Sequence, residues 1–377
     1  MSAASRAIDH LVIGGGLAGS MAALRLAAEG REVTLLEKEQ VAHHKVCGEF
    51  LSYEAVEYLS TAGVDPYNLG AARIRRVRLY SKNRVVEAAL PFTALSLSRR
   101  VLDAAMIARA AESGCKVRLG VLVDSLKTQD GVWQAQPRGG ELVQARTVFL
   151  ATGKHDLRGW ERGRGVQGDL IGFKMHWALA PAQREALREL MELYLFSGGY
   201  GGLSLVENGV ANMCLVVLRG ALRKVGGWTE LLTAIVNDNP VLLERLHGAK
   251  PLWERPLAIS SIPYGYLVGG ASSLWRIGDQ AAVIPSFTGD GMSIALHSGS
   301  LAAEMSLAGA GAEEYHRRLH AKLRRGMTLG TLLSQTMVSR AGRILAPRGL
   351  SLFPNAMKWI AASTRIPAQA RLAKSTN

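Results

Sequence analysis

Cysteine is scarce in this chain of 377 residues. The three cysteines, Cys47, Cys115 and Cys214, are widely spaced and odd in number, which excludes a disulfide framework and fits no zinc-binding pattern. Reduced thiols in a cytoplasmic protein are therefore expected. Long apolar runs are also missing, since no uncharged stretch reaches the roughly 18 residues of a membrane span. The N-terminus runs almost directly into the first predicted strand, which leaves no room for a signal peptide.

Acidic residues are in short supply as well. The chain has 31 of them against 45 lysines and arginines, a formal net charge of +14. The basic residues are dispersed rather than interleaved with aromatics, so nucleic acid is not expected as a partner. The charge leaves open an anionic membrane surface met peripherally, an acidic electron-donor protein, an anionic cofactor or simple solubility. The length favours two domains around one cofactor.

The most informative motif lies near the N-terminus. Residues 10–13 predict a buried strand, and Gly14, Gly16 and Gly19 then form a G-x-G-x-x-G pattern before a predicted helix over residues 17–29. In this arrangement the first glycine permits the turn, the second lets the backbone approach a pyrophosphate, and the third lets the helix pack on the strand. The first amides of the helix point at the phosphates.

An acidic residue completes this unit. Residues 32–36 predict a second strand, and Glu37 follows it, where a carboxylate can accept hydrogen bonds from ribose hydroxyls. The acid favours a ribose without a 2′-phosphate, so the sequence predicts FAD or NAD rather than NADP.

The loop after this strand carries His43, His44, Lys45, Cys47 and Gly48. No second group of ligands accompanies the histidines and the cysteine, so no metal site is expected. The position of Cys47 leaves two interpretations open. It is a reactive thiol or hydrogen-bond donor facing the cofactor ring, or a small residue that fills a gap.

Further strands and helices follow this loop. Residues 72–87 predict a strand pair with a basic face, and residues 96–113 predict a helix. Residues 147–150 begin a buried strand that continues into a glycine turn at Gly153. Residues 163–168 repeat the glycine pattern, but no apolar strand precedes them and no helix follows, so we reject a second nucleotide site there. Residues 170–266 predict a mostly antiparallel sheet, interrupted by helices at 181–192 and 228–246.

The last third of the chain returns to nucleotide binding and then becomes helical. A short strand ends in Gly278-Asp279, and a glycine-rich turn at residues 288–291 begins another helix with free amides at its N-terminus. Residues 315–327, 330–345 and 354–364 predict basic helices, joined by residues 347–349 between the last two. These helices fit either a cap over the first domain or an interfacial membrane contact.

Together these segments resemble one large family. The N-terminal glycine turn, Arg99-x-x-Leu102-Asp103, residues 151–153 and Gly278-Asp279 are similar to FAD-dependent oxidoreductases that include the geranylgeranyl reductases, flavin aromatic hydroxylases and flavin halogenases. The resemblance implies an α/β fold of the para-hydroxybenzoate hydroxylase type, with a Rossmann-like FAD-binding domain, a mostly antiparallel substrate domain and a C-terminal helical segment. We expect these at residues 1–71, 97–160 and 267–320, at residues 72–96 and 161–266, and at residues 321–377.

The resemblance also implies which residues hold FAD. They are Gly14, Gly16, Gly19 and Glu37 at the ADP half; Arg99 at the pyrophosphate; Gly278 and Asp279 at the ribityl region; Pro285, Gly289, Asp290, Gly291 and Met292 along the isoalloxazine; and, beside these, Leu17, Ala18, Lys38, Lys45, Cys47, Gly48 and Gly153.

Within the family, residues 45–48 look most like the geranylgeranyl reductase branch, which implies a cysteine near the flavin. Residues 199–201 match that branch's tyrosine motif, so Cys47 and Tyr200 are the predicted catalytic residues. The tryptophan and the Phe-Pro pair that normally follow are replaced by residues 202–205. The Trp-x-Trp-x-Ile-Pro pattern of halogenases is absent, and residues 153–156 replace the Asp-Gly of the hydroxylases.

The resemblance therefore predicts an FAD-dependent enzyme that reduces or dehydrogenates a carbon–carbon bond of a hydrophobic prenyl- or polyketide-like substrate. Hydroxylation by a flavin monooxygenase is the alternative, and a flavin electron-transfer module without catalysis is the third interpretation. No second nucleotide fold is predicted, so NAD(P)H would dock transiently as electron donor, or a partner protein would supply electrons.

Overall fold

The computed structural model describes residues 6–82, 84–269, 272–352 and 363–366. Within these ranges the strands are β1 (Ile8–Ile13), β2 (Val33–Glu37), β3 (Phe50–Leu51), β4 (Ala72–Ser81), β5 (Arg84–Ser96), β6 (Lys116–Leu119), β7 (Val123–Gln129), β8 (Val132–Pro137), β9 (Val143–Leu150), β10 (Leu170–Ala178), β11 (Glu189–Phe196), β12 (Gly199–Leu205), β13 (Ala211–Leu218), β14 (Lys250–Pro251), β15 (Leu257–Ser260), β16 (Tyr266–Leu267), β17 (Trp275–Arg276) and β18 (Ala282–Val283). The α-helices are α1 (Leu17–Ala28), α2 (Tyr53–Thr61), α3 (Arg99–Glu112), α4 (Pro181–Ala186), α5 (Arg219–Val225), α6 (Trp228–Asp238), α7 (Pro240–Leu246), α8 (Gly291–Leu307), α9 (Ala312–Val338) and α10 (Arg340–Leu352).

The first large sheet carries the N-terminal glycine turn. Its strand order is β6-β2-β1-β9-β8-β7, with β17 beside β9. The pairs β1–β2, β1–β9, β2–β6 and β9–β17 are parallel, whereas β7, β8 and β9 form an antiparallel meander. The central strand β1 is apolar and fully buried along its second half, as expected of a strand covered on both faces. Its C-terminal end, like those of β2 and β9, opens onto the cleft described below.

The second large sheet has the order β14-β10-β13-β12-β11-β4-β5-β3, with β15 beside β10. It is antiparallel except between β4 and β11, which run parallel. Alternate residues of β10 point to opposite faces. Phe173, Met175 and Trp177 join a core that includes residues of α6 and α7, whereas Lys174 and His176 face the loop after β2. The two sheets confirm the predicted fold class.

Helices α1 and α8 fix the cofactor side of the first sheet. Their backbones approach closely at Gly299, where an added Cβ would lie 2.2 Å from the carbonyl oxygen of Ala18. Both helices are almost completely buried in the largest apolar core. This packing places the middle of α8 against the first turn of α1, which follows the glycine turn.

Three predicted helices differ from the observed elements. The helix expected over residues 181–192 ends at Ala186, and its second half belongs to strand β11. Glu189, with a φ of 56°, begins the new direction, and pairing of β11 with both β4 and β12 outweighs the helical propensity of the segment. The helices expected over 315–327 and 330–345 meet in the single helix α9, and only the part of the second beyond Val338 belongs to α10.

Gly330 explains the continuity of α9. It does not end the helix but lets it pack on the segment before α8, because an added Cβ would lie 3.2 Å from the Thr288 methyl group and 3.6 Å from Pro285. Residues 347–349, predicted as a linker, lie within α10. The predicted helix 354–364 lies outside the described residues apart from its last two. No helix in the described part of the chain is long and apolar enough to span a bilayer.

Candidate active site

The glycine turn between β1 and α1 is shaped to receive a phosphate group. Gly14 has a φ of 112°, and a Cβ there would lie 2.4 Å from the carbonyl oxygen of Ala151. A Cβ on Gly19 would lie 1.9 Å from the carbonyl oxygen of Gly14. At Gly16, in contrast, the nearest atom to an added Cβ is an Arg99 guanidinium nitrogen at 3.6 Å. Side chains at Gly14 and Gly19 would therefore clash with the backbone of the fold. Gly16 instead leaves space open on the cleft side of the turn.

Glu37 is tied to the same turn. Its Oε2 accepts a hydrogen bond from the Gly15 amide at 2.6 Å, and its Oε1 accepts one from the Glu39 amide at 3.0 Å. The side chain is buried at the end of β2. The carboxylate is therefore held at the carboxyl edge of the sheet, where the sequence predicts that it meets a ribose.

A cluster of two cations and one acid adjoins Gly16. The Arg99 guanidinium pairs with Asp103 through two hydrogen bonds of 2.8 and 2.9 Å, and Lys45 Nζ lies 2.7 Å from the same carboxylate. Burial acts to raise the pKa of Asp103. The lowering effect of Arg99 and Lys45 is larger, so the pKa lies below its ordinary value. The cluster carries a net charge of about +1 beside the amides of α1, which favours an anion there.

The ends of β9 and β17 close the far side of this cleft. Gly153 takes a φ of 64° in the turn after β9. Gln280 donates to the carbonyl oxygens of Gly153 and His155, and Arg162 donates to the carbonyl oxygens of Lys154 and Asp279. The Asp279 side chain stays partly exposed. Sequence reasoning missed Arg162 and Gln280, which join the two turns.

One continuous cleft collects most of the predicted cofactor residues. Its lining includes the predicted residues Gly14, Gly16, Leu17, Ala18, Glu37, Lys38, Lys45, Arg99, Gly153, Gly278 and Asp279. Gly19 lies behind the turn as a packing residue. Cys47, Gly48 and the predicted residues from 285 to 292 are not part of this lining and lie further toward the second sheet.

The segment before α8 is the predicted isoalloxazine side. Pro285 precedes a 3₁₀ turn, Gly289 has a φ of 73°, and Gly291 and Met292 begin α8. A Cβ on Gly289 would lie 2.6 Å from the Phe50 ring, so the segment packs tightly on β3.

Asp290 points away from the open helix end and is completely buried. Its Oδ1 pairs with Arg365 at 2.6 Å, and the Arg365 guanidinium lies over the rings of Phe92 and Phe50 at 4.8 and 5.9 Å. Burial raises the pKa of Asp290 above its ordinary value, and Arg365 opposes that rise. Arg365 is thus a third residue that sequence reasoning missed, because its partner lies 75 positions away.

Cys47 lies between the cleft and the second sheet. Its side chain is partly exposed, its Sγ accepts a hydrogen bond from the Glu49 amide at 3.3 Å, and its carbonyl oxygen accepts one from Asn212 of β13 at 3.2 Å. Burial raises the pKa of the other two thiols, to about 11 for Cys115 and about 12 for Cys214. The catalytic role of Cys47 stays a prediction.

Tyr200 lies on β12, on the face that meets the segment before α8. Its hydroxyl is 3.3 Å from Ser286 Oγ, and its ring contacts Phe287 edge-on. Burial raises the pKa of its hydroxyl. Tyr200 thus contacts the predicted flavin segment and also Ser334 and Tyr264, and its catalytic role stays a prediction.

A buried polar cluster flanks the Cys47 loop. One side-chain nitrogen or oxygen atom from each of His44, Glu49 and His176 lies within 4.8 Å of the other two. Lys174 Nζ also donates a hydrogen bond to the Glu49 carboxylate. Burial works to raise the pKa of Glu49, but His176 and Lys174 bring it below its usual range. Burial together with His176 and Lys174 lowers the pKa of His44 to about 4.

The sequence predicts no metal site at His44, and that expectation stays a prediction. Lys174 already supplies a positive charge to Glu49, so the geometry is that of a buried ion-pair cluster. Alternating polar residues on β10, a strand that is otherwise apolar, were the signal that could have revealed Lys174 and His176.

These features fit FAD. A glycine turn with room at Gly16, free helix amides, a buried acid for the ribose and a cationic cluster at the pyrophosphate side all line one cleft. A family model described as FAD binding domain matches residues 7–149. The chain is therefore an FAD-dependent oxidoreductase, as the resemblance predicts.

The chain is also similar to several known proteins. The chain is similar to digeranylgeranylglycerophospholipid reductase 2 of Methanopyrus kandleri, at 27% identity over 79% of this chain and 76% of that protein. It is similar to menaquinone reductase of Mycolicibacterium smegmatis, at 28% identity over 80% of this chain and 76% of that protein. Among solved structures it superposes on the flavin-dependent brominase Bmp2 with a TM-score of 0.79, at 15% identity over 97% of this chain and 95% of the brominase. That structural likeness concerns the fold alone.

Proposed function

We propose that this protein uses FAD to reduce, or in the reverse direction to dehydrogenate, a carbon–carbon bond of a hydrophobic prenyl- or polyketide-like substrate. Two relatives that align with most of the chain are reductases named for a geranylgeranyl lipid and a menaquinone. The observation that carries the proposal is a partly exposed thiol between the cofactor cleft and the second sheet, whose strands also carry an apolar wall.

That wall is built by β3 and its neighbours in the second sheet. Its members are buried or half-buried apolar side chains, namely Phe50, Val77, Leu90, Phe92, Met191 and Leu193. Gly202 of β12 packs on the same wall, because an added Cβ there would lie 3.4 Å from the side chains of Leu193 and Met191 and 3.7 Å from the backbone oxygen of Glu192. Phe50 also contacts Gly289, so the wall adjoins the predicted isoalloxazine side. Such a surface suits an alkene or polyene, and the guanidinium that lies over Phe50 and Phe92, that of Arg365, is already paired with Asp290.

The residues divide the work of the reaction. When bound, FAD supplies or removes a hydride at one substrate carbon. Reduction then needs a proton at the neighbouring carbon, and we assign the Cys47 thiol as its donor, since it lies between the cleft and the second sheet. Tyr200 and Ser286 hold the segment before α8 against the sheet. In this proposal, electrons reach the flavin from transiently bound NAD(P)H or from a partner protein.

Hydroxylation is the second candidate function. The residues after Tyr200 depart from the reductase branch, and the fold is shared with a flavin enzyme that is not a reductase by name. The two candidates differ in what reoxidises the reduced flavin, so one experiment separates them.

The experiment begins with anaerobic photoreduction of the FAD-loaded protein. We expect a prenylated quinone or a geranylgeranyl lipid, supplied in detergent without oxygen, to restore the oxidised flavin spectrum and to gain two hydrogens by mass spectrometry. Cys47→Ala should slow this step, whereas Cys115→Ala, which alters a thiol buried in the core, should not. Reoxidation that requires oxygen and yields a product one oxygen heavier would establish the monooxygenase instead.

A further inference from the structure

Glu49 is the most heavily constrained residue near the proposed active site. It is non-glycine with a φ of 59°, a backbone conformation that L-residues rarely adopt, and its side chain is completely buried. Three donors converge on its carboxylate. They are the Lys174 ammonium and the Arg99 amide, at 2.8 Å, on Oε1, and His176 Nε2, at 3.0 Å, on Oε2.

The backbone of Glu49 is held as firmly as its side chain. Its carbonyl oxygen accepts hydrogen bonds from the Leu97 amide at 3.2 Å and from Ser96 Oγ at 3.0 Å. Because the carboxylate and the carbonyl oxygen of Glu49 are both held in place, the direction of its amide N–H is fixed as well. That N–H donates a hydrogen bond to Cys47 Sγ at 3.3 Å. The strained backbone of Glu49 thus directs a hydrogen bond onto the sulfur of Cys47.

We propose that Glu49 is the positioning residue for Cys47: its buried carboxylate, anchored to the second sheet and to α3, holds the left-handed backbone that directs an N–H onto the cysteine sulfur. The proposal deepens the proposed function and rests on it for the part that Cys47 plays in turnover. The anchors come from β10 and from the N-terminus of α3, so the sulfur is aligned by both halves of the molecule.

The direct consequence concerns the reactivity of the sulfur. An N–H donated to sulfur stabilises the thiolate relative to the thiol, so its loss moves thiolate formation to higher pH. The titratable and charged groups around Cys47 are Arg99 of α3, Cys214 of β13, Lys154 after β9 and Glu49 itself. None of the variants below changes the first three, and the alanine and glutamine variants lose the same Glu49 charge, so a difference between those two variants reports the Glu49 amide.

The test compares two double variants of the FAD-loaded protein, each paired with Lys174→Met to avoid an unbalanced buried charge. Glu49→Ala/Lys174→Met removes the anchor, whereas Glu49→Gln/Lys174→Met keeps a side chain that can still accept from Arg99 and bond His176. The rate of iodoacetamide alkylation of Cys47 is followed against pH by peptide mass spectrometry. Burial raises the pKa of Cys115 to about 11 and of Cys214 to about 12, which keeps both slow to react at lower pH.

We expect the alkylation midpoint of the alanine variant to lie about one pH unit above that of the glutamine variant, the effect of one lost hydrogen bond to a charged group. Both variants lack the Glu49 and Lys174 charges, so this difference comes from the loss of the anchor. Equal midpoints in the two variants would overturn the proposal. If the alanine variant does not fold, Glu49→Asp retains the charge but shortens the arm, and an unchanged midpoint there would be equally decisive.

The outcome is independent of the reaction. Normal turnover by Cys47→Ala would remove the catalytic role of Cys47, but it would leave the alkylation result and the positioning by Glu49 intact.

Discussion

Gly16 and Gly19 belong to one motif, but the structure predicts opposite consequences for replacing them by alanine. A Cβ at Gly19 would lie 1.9 Å from a backbone oxygen, so Gly19→Ala should prevent α1 from packing and yield unstable protein. At Gly16 the nearest atom is the end of a flexible arginine side chain at 3.6 Å, and φ is −73°, which any residue adopts. Gly16→Ala should therefore leave the folding of the FAD-free protein unchanged.

The cost of Gly16→Ala appears when FAD binds. A methyl group at the N-terminus of α1 keeps the pyrophosphate from approaching the helix amides, and one hydrogen bond to a charged group is worth roughly 1.5–3 kcal/mol. That corresponds to FAD affinity weaker by about 10- to 150-fold. Fluorescence titration of the FAD-free protein measures the affinity, and thermal unfolding without FAD measures the fold.

Gly168 provides the matched control. It ends the second glycine pattern, and an added Cβ there would have no atom within 4 Å. Gly168→Ala should change neither FAD affinity nor stability. Wild-type FAD affinity in Gly16→Ala, or weakened affinity in Gly168→Ala, would refute the assignment of the N-terminal turn as the pyrophosphate site.

Two further predictions concern Arg365 and Cys47. Arg365→Met leaves Asp290 buried without its ion pair and should cost about 3 kcal/mol of stability at neutral pH, measured by urea unfolding. Because the folded-state pKa of Asp290 lies above its ordinary value, stability falls as pH rises through that window, so the loss should shrink in acid, and Arg365→Met/Asp290→Asn should recover most of it. A loss independent of pH would contradict this. Cys47→Ala should retain FAD but slow turnover at least about tenfold, and normal turnover would return Cys47 to a packing role.

The nucleotide-binding half could be predicted from the sequence because its signals are local. The glycine turn, the acid after β2 and the Gly278-Asp279 turn each sit at the end of a strand, and parallel strands bring such ends to one edge of a sheet. The first strand, the first helix and the second strand were accordingly predicted to within one or two residues of their observed bounds.

The parts that escaped prediction depend on contacts between distant residues. Glu49 meets Lys174 and His176 across more than 120 positions, and neither the spacing nor the composition of the Cys47 loop indicates those partners. The β4–β11 pairing likewise converts half of a predicted helix into a strand, since tertiary pairing outweighs local propensity. Gly330 shows the same effect in α9. The sequence predicts that a second helix begins there, whereas Gly330 packs closely on the segment before α8 within one continuous helix.

The central prediction is that one FAD is held jointly by the N-terminal turn, Arg99, the Gly278-Asp279 turn and the start of α8. Its most direct test is chromatography of the flavin released by denaturing the purified, FAD-reconstituted protein. We predict one FAD per chain in the wild type and in Gly168→Ala, and markedly less in Gly16→Ala after identical gel filtration. A colourless wild-type protein that cannot be reconstituted with FAD would contradict the account.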